Sequence, residues 1–337
     1  RQMCIRDSPP LGIATVASVL QKSGHEVRIL DLNLQPKVGG SVKDSVSKCL
    51  KYNADVIGLT CWGNMAPFVI EFSKQYKSVD PEARIVIGGE YASLRSEDIL
   101  RESQADFIVR GEGEQTFPQL IREIEKGGNP YKIEGISYRN SKGIISTPNR
   151  RLMNMDDIPF TDWAIFDSLN KYRGYKERSQ LPIQASRGCP FKCIFCSVQR
   201  TWGGIQRRKS PKRLIDEIKW LIKEFGIDSL SFCDDTFTLD RKWVAKVCRL
   251  MLNENIEIYW SALTRVDLVD RKTLSLMKKA GCILLFYGVE SVSPRILEFI
   301  GGKSYNEDFV KKKLSETIAA DIETPVSVIF GWPIDTS

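Results

Sequence analysis

From Pro9 onward, short apolar runs alternate with stretches whose apolar positions recur every three or four residues, so strands and helices are predicted to take turns. Pro9 and Pro10 open a helix carrying Leu11, Ala14, Val16, Val19 and Leu20, and Gly24 closes it. Strands are predicted at 27–30, 55–60, 84–87 and 107–109, with a helix at 68–76 and another marked by Phe117, Leu120, Ile121 and Ile124. Nearly continuous apolar strands in such an order predict a parallel sheet covered by helices on both faces, a doubly wound, Rossmann-like α/β domain. Ligands of such sheets bind beyond the carboxyl ends of the strands. Those ends carry Thr60-Cys-Trp-Gly63, Gly88-Gly-Glu-Tyr91 and Gly111-Glu-Gly-Glu114.

Residues 134–138 and 144–147, joined by Ser141-Lys-Gly143, interrupt the rhythm as a predicted hairpin. Asp156-Asp-Ile-Pro-Phe160 and Asp162-Trp163 read as a linker, after which the βα pattern restarts with strands near Ile183, Leu230, Ile258, Leu284 and Val326. Its clearest helix sets Leu214, Ile215, Ile218, Leu221, Ile222 and Phe225 at helical spacing, with Gly226 as the stop. Repeated units of this length predict a TIM-like barrel or part of one, with chemistry at the C-terminal strand ends. In chain order those ends carry Cys189-x3-Cys193-x2-Cys196, Asp234-Asp235, Arg265, Glu290-Ser291 and Gly331. The domains are therefore expected at 1–132, 133–180 (hairpin and linker) and 181–337.

Composition narrows the class. Of 337 residues, 42% are hydrophobic and 27% charged, which excludes a disordered, collagenous or coiled-coil chain. The longest apolar runs, 283–286 and 326–330, fall far short of the roughly 20 residues of a membrane helix. No charged-then-apolar leader opens the chain. Nine cysteines, an odd number, do not read as a disulfide framework and favour a reducing cytoplasm that keeps thiols for ligand chemistry. A net charge of +7 permits anionic partners without requiring one. A start at Arg1 and an end at Ser337 are read as those of a piece of a longer protein, with 1–8 foreign to the fold.

Three cysteines within eight residues can converge on one centre. Structural zinc takes four protein ligands, and the only histidine, His25, lies in the other half of the chain. A cubane iron–sulfur cluster also takes four thiolates, so three leave one iron open to an outside ligand. A partial zinc site is the alternative.

The cysteine spacing, with Phe195 before the last cysteine, resembles the signature of the radical S-adenosylmethionine (SAM) superfamily. The resemblance continues through Phe232-Cys-Asp-Asp-Thr-Phe237, Ser261-Ala-Leu-Thr-Arg-Val-Asp267 and Tyr287-Gly-Val-Glu-Ser291 to Val328-Ile-Phe-Gly331. It implies a (β/α)6 barrel, here stopping before its sixth strand, and a 4Fe-4S cluster whose open iron chelates SAM. It further implies reductive cleavage of SAM to a 5′-deoxyadenosyl radical, with a reductant such as flavodoxin or ferredoxin. Carried over by position, Cys189, Cys193 and Cys196 ligate the cluster and Phe195 lies against the adenine. Asp234 or Asp235 takes the SAM amino group, Arg265 its carboxylate, and Glu290 with Ser291 the ribose hydroxyls.

The first half, through Pro9-Pro-Leu-Gly12, Gly24-His-Glu-Val27, Asp31, Asp55-Val-Ile-Gly58, Gly88-Gly89 and Gly111-Glu-Gly-Glu114, resembles the cobalamin-binding subfamily of these proteins. That places Thr60, Gly88, Gly89, Gly111 and Glu112 at the corrinoid. Asp31-Leu-Asn33 stands where other cobalamin domains carry a cobalt-ligating histidine, so binding without a histidine ligand is implied. The implied activity is methyl transfer from cobalamin to an unactivated carbon of a small-molecule substrate. Ring formation or rearrangement, methylthiotransfer and a non-catalytic corrinoid-binding relative are the alternatives. Methylthiotransfer needs a second cysteine cluster, and Cys4, Cys49 and Cys61 lack convincing ligand spacing for one.

Each position also has a structural reading. Asp234-Asp235 could cap a turn, Arg265 could sit in an ion pair, and Gly111-Glu-Gly-Glu114 could cap a helix. Cys4, Cys49, Cys61, Cys233, Cys248 and Cys282 read as core or bystander thiols, although Cys61 and Trp62 could face a corrin. Between Arg200 and Arg213 stand six basic residues and no acid, with Trp202 the lone aromatic. This stretch, like Lys311-Lys-Lys313, reads as a solvated face or an anion contact; no nucleic acid or membrane partner is expected.

Overall fold

The computed structural model describes residues 8–32, 41–166, 169–172, 174, 176, 178–301 and 303–334. These form two compact units, one built on Pro10–Met153 and Ile158–Lys171, the other on Asn154–Asp157 and Tyr172–Ser337. Cys4 and Asn33 lie outside the described residues. No helix among the described residues is long and apolar enough to cross a membrane.

The first unit runs α1 (Leu11–Lys22), α2 (Val42–Leu50), β1 (Val56–Thr60), α3 (Ala66–Val79), β2 (Arg84–Gly88), α4 (Glu90–Leu94), α5 (Ser96–Glu102), β3 (Phe107–Val109) and α6 (Gly113–Glu125), then β4 (Ile136–Asn140) and β5 (Gly143–Ser146). Strand order is β1-β2-β3-β4-β5; the first three are parallel and the hairpin β4–β5 joins the edge antiparallel. The apolar run of β2 feeds two cores at once, because successive side chains point to opposite faces. Ile85 and Ile87 pack with Val69, Phe72 and Tyr76 of α3 and Ile99 of α5. Val86 packs with Phe107, Val109 and Leu120 of α6 on the other face. The sheet is therefore doubly wound, and a strand buried on both faces must be apolar at every position.

The strand predicted at 27–30 is not present. Val27 and Ile29 are half-buried and Arg28 exposed, so the alternation is real, but these residues belong to no ladder. Periodicity reports which side of a segment is apolar; it does not report whether a neighbour's N–H and C=O groups lie within reach.

The second unit comprises β6 (Gln180–Ile183), β7 (Ser186–Arg187), α7 (Val198–Trp202), β8 (Arg207–Arg208), α8 (Pro211–Phe225), β9 (Ser229–Phe232) and α9 (Arg241–Asn253). It continues with β10 (Tyr259–Thr264), α10 (Arg271–Lys279), β11 (Cys282–Glu290), α11 (Pro294–Ile300), α12 (Glu307–Ala319) and β12 (Val326–Val328). Five strands pair in parallel in the order β12-β11-β10-β9-β6, an arc of a barrel. Helix α8 shows why the sequence folds so. Ser210 caps its first turn by accepting from the Arg213 N–H, Pro211 supplies the first helical residue, and Leu214, Ile215, Ile218 and Leu221 are buried against the sheet.

Candidate functional site

In the second unit the C-terminal strand ends converge on the loop that carries the three cysteines. Gly188 enters this loop at φ +95°, and a Cβ there would stand 2.0 Å from the Ile205 carbonyl oxygen, so only glycine fits directly before Cys189. The loop is also fastened to α11, where Ile194 N–H donates to the Ile300 carbonyl at 3.0 Å. Cys189, Cys193 and Cys196 are all partly accessible thiols. Burial pushes the Cys193 thiol up, while the Lys303 and Arg265 charges pull it down. Burial also pushes the Cys196 thiol up, against the Val198 backbone N–H. Among the described residues no three His, Cys, Asp or Glu side chains close on one metal-ion position. A cubane is larger than a single ion, so its thiolates must stand wider apart than the ligands of one zinc. Three soft thiols, with no fourth ligand beside them among the described residues, fit such a cluster and do not fit structural zinc.

The carboxylates at the end of β9 are turned onto their own chain. Asp234, buried, accepts from Ala185 N–H at 3.2 Å and from Ser186 Oγ at 2.5 Å. Asp235 Oδ2 accepts from Gly188 N–H at 2.8 Å. The sequence reading gave one of them to a ligand's amino group; the structure uses both to brace the segment that leads into Cys189. Burial pushes Asp234 up to about 7, with the Ser186 and Ala185 hydrogen bonds and the Lys209 charge opposing the rise. A carboxyl raised in the folded state stabilises fully below its unfolded value of 3.8 and loses that contribution as pH climbs toward 7. Asp234→Asn is therefore expected to flatten the stability of the apo-chain between those limits. Urea midpoints at stepped pH check this, and parallel profiles for both proteins would refute it.

Arg265 makes the ion pair that was its structural alternative. Its Nε and Nη2 fork onto Asp267 at 2.9 and 2.7 Å, and its guanidinium lies 3.5 Å from the centre of the Phe191 ring. The bidentate face is thus occupied within the chain, and Nη1 is left buried without a hydrogen-bond partner.

Glu290 holds a left-handed backbone at φ +67°, a strained position for a side-chain-bearing residue at a buried strand end. Its Oε2 accepts from Ser327 Oγ at 2.9 Å and its Oε1 lies 3.4 Å from Lys303 Nζ. Ser291, also buried, accepts from Ser293 N–H at 3.1 Å. Lys303 is the residue that sequence reasoning missed. Its side chain is 3% exposed, Nζ donates to the Gly288 carbonyl at 2.5 Å, and burial holds the ammonium below its ordinary value. No periodicity marks it; the only cue is a cation directly after Gly301-Gly302. Phe195 is 41% exposed and meets Trp332 edge-on, ring centres 5.5 Å apart.

The basic stretch is largely matched internally. Arg208 pairs with Asp240 at 3.0 Å, Lys209 with Glu217 at 2.5 Å, and Arg213 donates to the Asp156 carbonyl. Arg187 and Arg207 flank the Trp202 ring.

In the first unit, Thr60 and Gly88 are in register at the ends of β1 and β2. Gly89 follows at φ +98°, and a Cβ on it would stand 2.9 Å from the backbone of Cys61, so the turn requires glycine. Gly111, after β3, donates its N–H to Ser93 Oγ at 2.9 Å, and Ser93 in turn donates to the Gly89 carbonyl at 2.8 Å. Gly88, Gly89 and Gly111, at the ends of β2 and β3, make a shelf poor in side chains, and Trp62, two residues past Thr60, is 47% exposed. Such a shelf fits a flat macrocycle at close backbone approach. Glu112 Oε2 accepts from Met153 N–H at 2.6 Å. Cys61 is fully buried in the α3-side core, its thiol pushed up to about 11 by burial. His25 Nδ1 lies 3.2 Å from Glu125.

Comparison with known proteins accounts for both units. Residues 6–121 match the B12 binding domain family and residues 183–336 the Radical SAM superfamily. The chain belongs to the cobalamin-binding radical SAM family. Among curated relatives of this family, it is 34% identical over 298 residues to an uncharacterized methyltransferase of Pyrococcus horikoshii, covering 87% of this chain and 63% of that protein. It is 31% identical over 296 residues to the anaerobic magnesium-protoporphyrin IX monomethyl ester cyclase of Synechocystis, covering 87% and 58%. It thus spans about three fifths of the length of these relatives. The fold matches the structure of the radical SAM methyltransferase TsrM from Kitasatospora setae with cobalamin and [4Fe-4S] cluster bound: TM-score 0.79, 18% identity, 98% of this chain and 68% of that one.

Proposed function

We propose that the chain is the cofactor-binding part of a cobalamin-dependent radical SAM enzyme that transfers a methyl group to an unactivated carbon of a small molecule. The observation that carries this is the three-thiol loop at the mouth of the parallel arc, in a chain whose other unit matches a B12 binding domain. When bound, the cluster with SAM supplies a carbon-centred radical and the corrinoid supplies the methyl group.

The chain's own residues hold and orient. Cys189, Cys193 and Cys196 ligate three irons. Lys303, a buried cation within electrostatic reach of Cys193, takes the role the sequence reading gave to Arg265, binding the SAM carboxylate. Arg265, forked onto Asp267 and stacked on Phe191, steadies the cysteine loop from beneath. Glu290 and Ser291 address the ribose, and the Phe195–Trp332 pair offers an aromatic wall to the adenine. Asp234 and Asp235 keep the loop in place. Thr60, Gly88, Gly89 and Gly111 form the corrin shelf, with no histidine on cobalt. Residues 1–132 are assigned to the corrinoid and 181–337 to cluster and SAM. The bound cluster would draw its electron from a one-electron donor such as flavodoxin or ferredoxin, in a reducing cytoplasm.

The test is to express the full-length protein with a corrinoid supply, purify it without oxygen, and count cobalt and iron per chain beside SAM cleavage. About one cobalt with about four irons, and formation of 5′-deoxyadenosine, supports the reading. Iron without cobalt in a folded protein overturns the corrinoid assignment. The cyclase likeness favours ring formation as a second reading; product analysis separates the two, since only methyl transfer adds a carbon taken from SAM.

A further inference from the structure

Each of the three thiols meets a different neighbour, and one of these contacts is unlike the others. Cys196 has the backbone N–H of Val198, and Cys193 has the charges of Lys303 and Arg265. Cys189 has a side-chain hydroxyl: Thr236 Oγ1 stands 3.4 Å from its Sγ, a normal hydrogen-bond distance to sulfur, although the two are 47 residues apart in sequence. Thr236 is 2% exposed, so water does not compete for that hydroxyl.

The contact is framed from several directions. Asp234, Asp235 and Thr236 are consecutive, and they grip consecutive points of the segment entering the cysteine loop. Asp234 takes Ala185 N–H and Ser186 Oγ, Asp235 takes Gly188 N–H, and Thr236 reaches Cys189. Gln206 Nε2 holds the Thr236 carbonyl at 2.8 Å. The Thr236 hydroxyl has one proton and two acceptors within reach, the Asp235 carbonyl at 2.7 Å and the Cys189 sulfur. A neutral thiol is a weak acceptor, so the carbonyl wins that competition in the cluster-free chain. A thiolate on iron carries negative charge, and hydrogen bonds to ionised acceptors are about twice as strong as neutral ones.

We propose that Thr236 is a positioning residue for the cluster, its hydroxyl donating to the Cys189 thiolate and so raising the reduction potential of the 4Fe-4S centre. The donor withdraws electron density from sulfur and favours the form with one more electron, and hydrogen bonds to the sulfurs are among the levers that set such potentials. This rests on the cluster assignment made above.

The experiment uses the full chain with its cluster assembled without oxygen, as wild type, Thr236→Val and Thr236→Ser. Iron per chain is measured first, then the midpoint potential from a reductive titration followed by the electron paramagnetic resonance of the reduced cluster. The expected result is equal iron in all three, a more negative midpoint for the valine variant, and a midpoint for the serine variant close to wild type. Equal midpoints in wild type and valine variant at equal iron overturn the proposal. So does a valine variant that takes up no iron while the serine variant fills, because the hydroxyl then serves assembly and not potential. A folded wild-type chain that takes up no cluster instead overturns the cluster assignment itself.

Discussion

Cys193→Ala is expected to fold, to lose the iron and the visible absorption of the anaerobically reconstituted chain, and to form no detectable 5′-deoxyadenosine. Cys189→Ala and Cys196→Ala should do the same. With three protein thiolates and one open iron, no spare ligand in the loop can replace a missing one. The thiols are poor nucleophiles as free groups, since burial raises Cys193 and Cys196. As the proposed metal ligands, they would lose their protons to iron rather than to a neighbouring base. Cys233→Ala is the control. Its thiol is exposed at the end of β9, one strand from the loop, and an adventitious iron site would draw on it as readily as on the triad. Iron and turnover are expected unchanged in that variant. Iron retained at full stoichiometry in Cys193→Ala would refute the cluster assignment, and with it the functional reading.

What was legible in the sequence divides along physical lines. The triad stands out in the sequence because a metal centre would impose ligand spacing on a short loop, and spacing is a sequence property. The parallel strands were legible because burial on both faces forces apolar runs, as at Ile85, Val86 and Ile87. Lys303 was not legible, because what distinguishes it is its burial beside Glu290 and Cys193, a property of the fold. The work of Asp234 was hidden for the same reason, since its partners Ala185 and Ser186 lie 49 and 48 residues away. Arg265 is a different case. Asp267 stands two residues on, and the ion-pair alternative read from the sequence is the contact the guanidinium makes. The strand expected at 27–30 marks the opposite limit, an alternating pattern that forms no strand.

Lys209→Met is expected to destabilise the chain by about 3–5 kcal/mol, the scale for removing one partner of a buried ion pair. Lys209 and Glu217 are 4% and 5% exposed at the side chain and 2.5 Å apart. Taking away the ammonium leaves a carboxylate with no water to solvate it. The loss should spread to the site. The Lys209 charge holds Asp234 down against its burial, so its removal is expected to move Asp234 still further above its ordinary value. The same residue ties two other elements together, its N–H donating to the Ala185 carbonyl and its carbonyl accepting from Trp243 Nε1, both at 2.9 Å. Those backbone contacts survive in the methionine variant, which isolates the charge as the cause. Lys209→Met/Glu217→Leu is the decisive comparison. Replacing a buried pair by apolar side chains of similar volume is often neutral or better, so the double variant should recover most of the lost stability. Urea unfolding of the three proteins at one pH reads this directly. A double variant as unstable as the single would mean that the damage lies in packing around α8 and not in an orphaned charge.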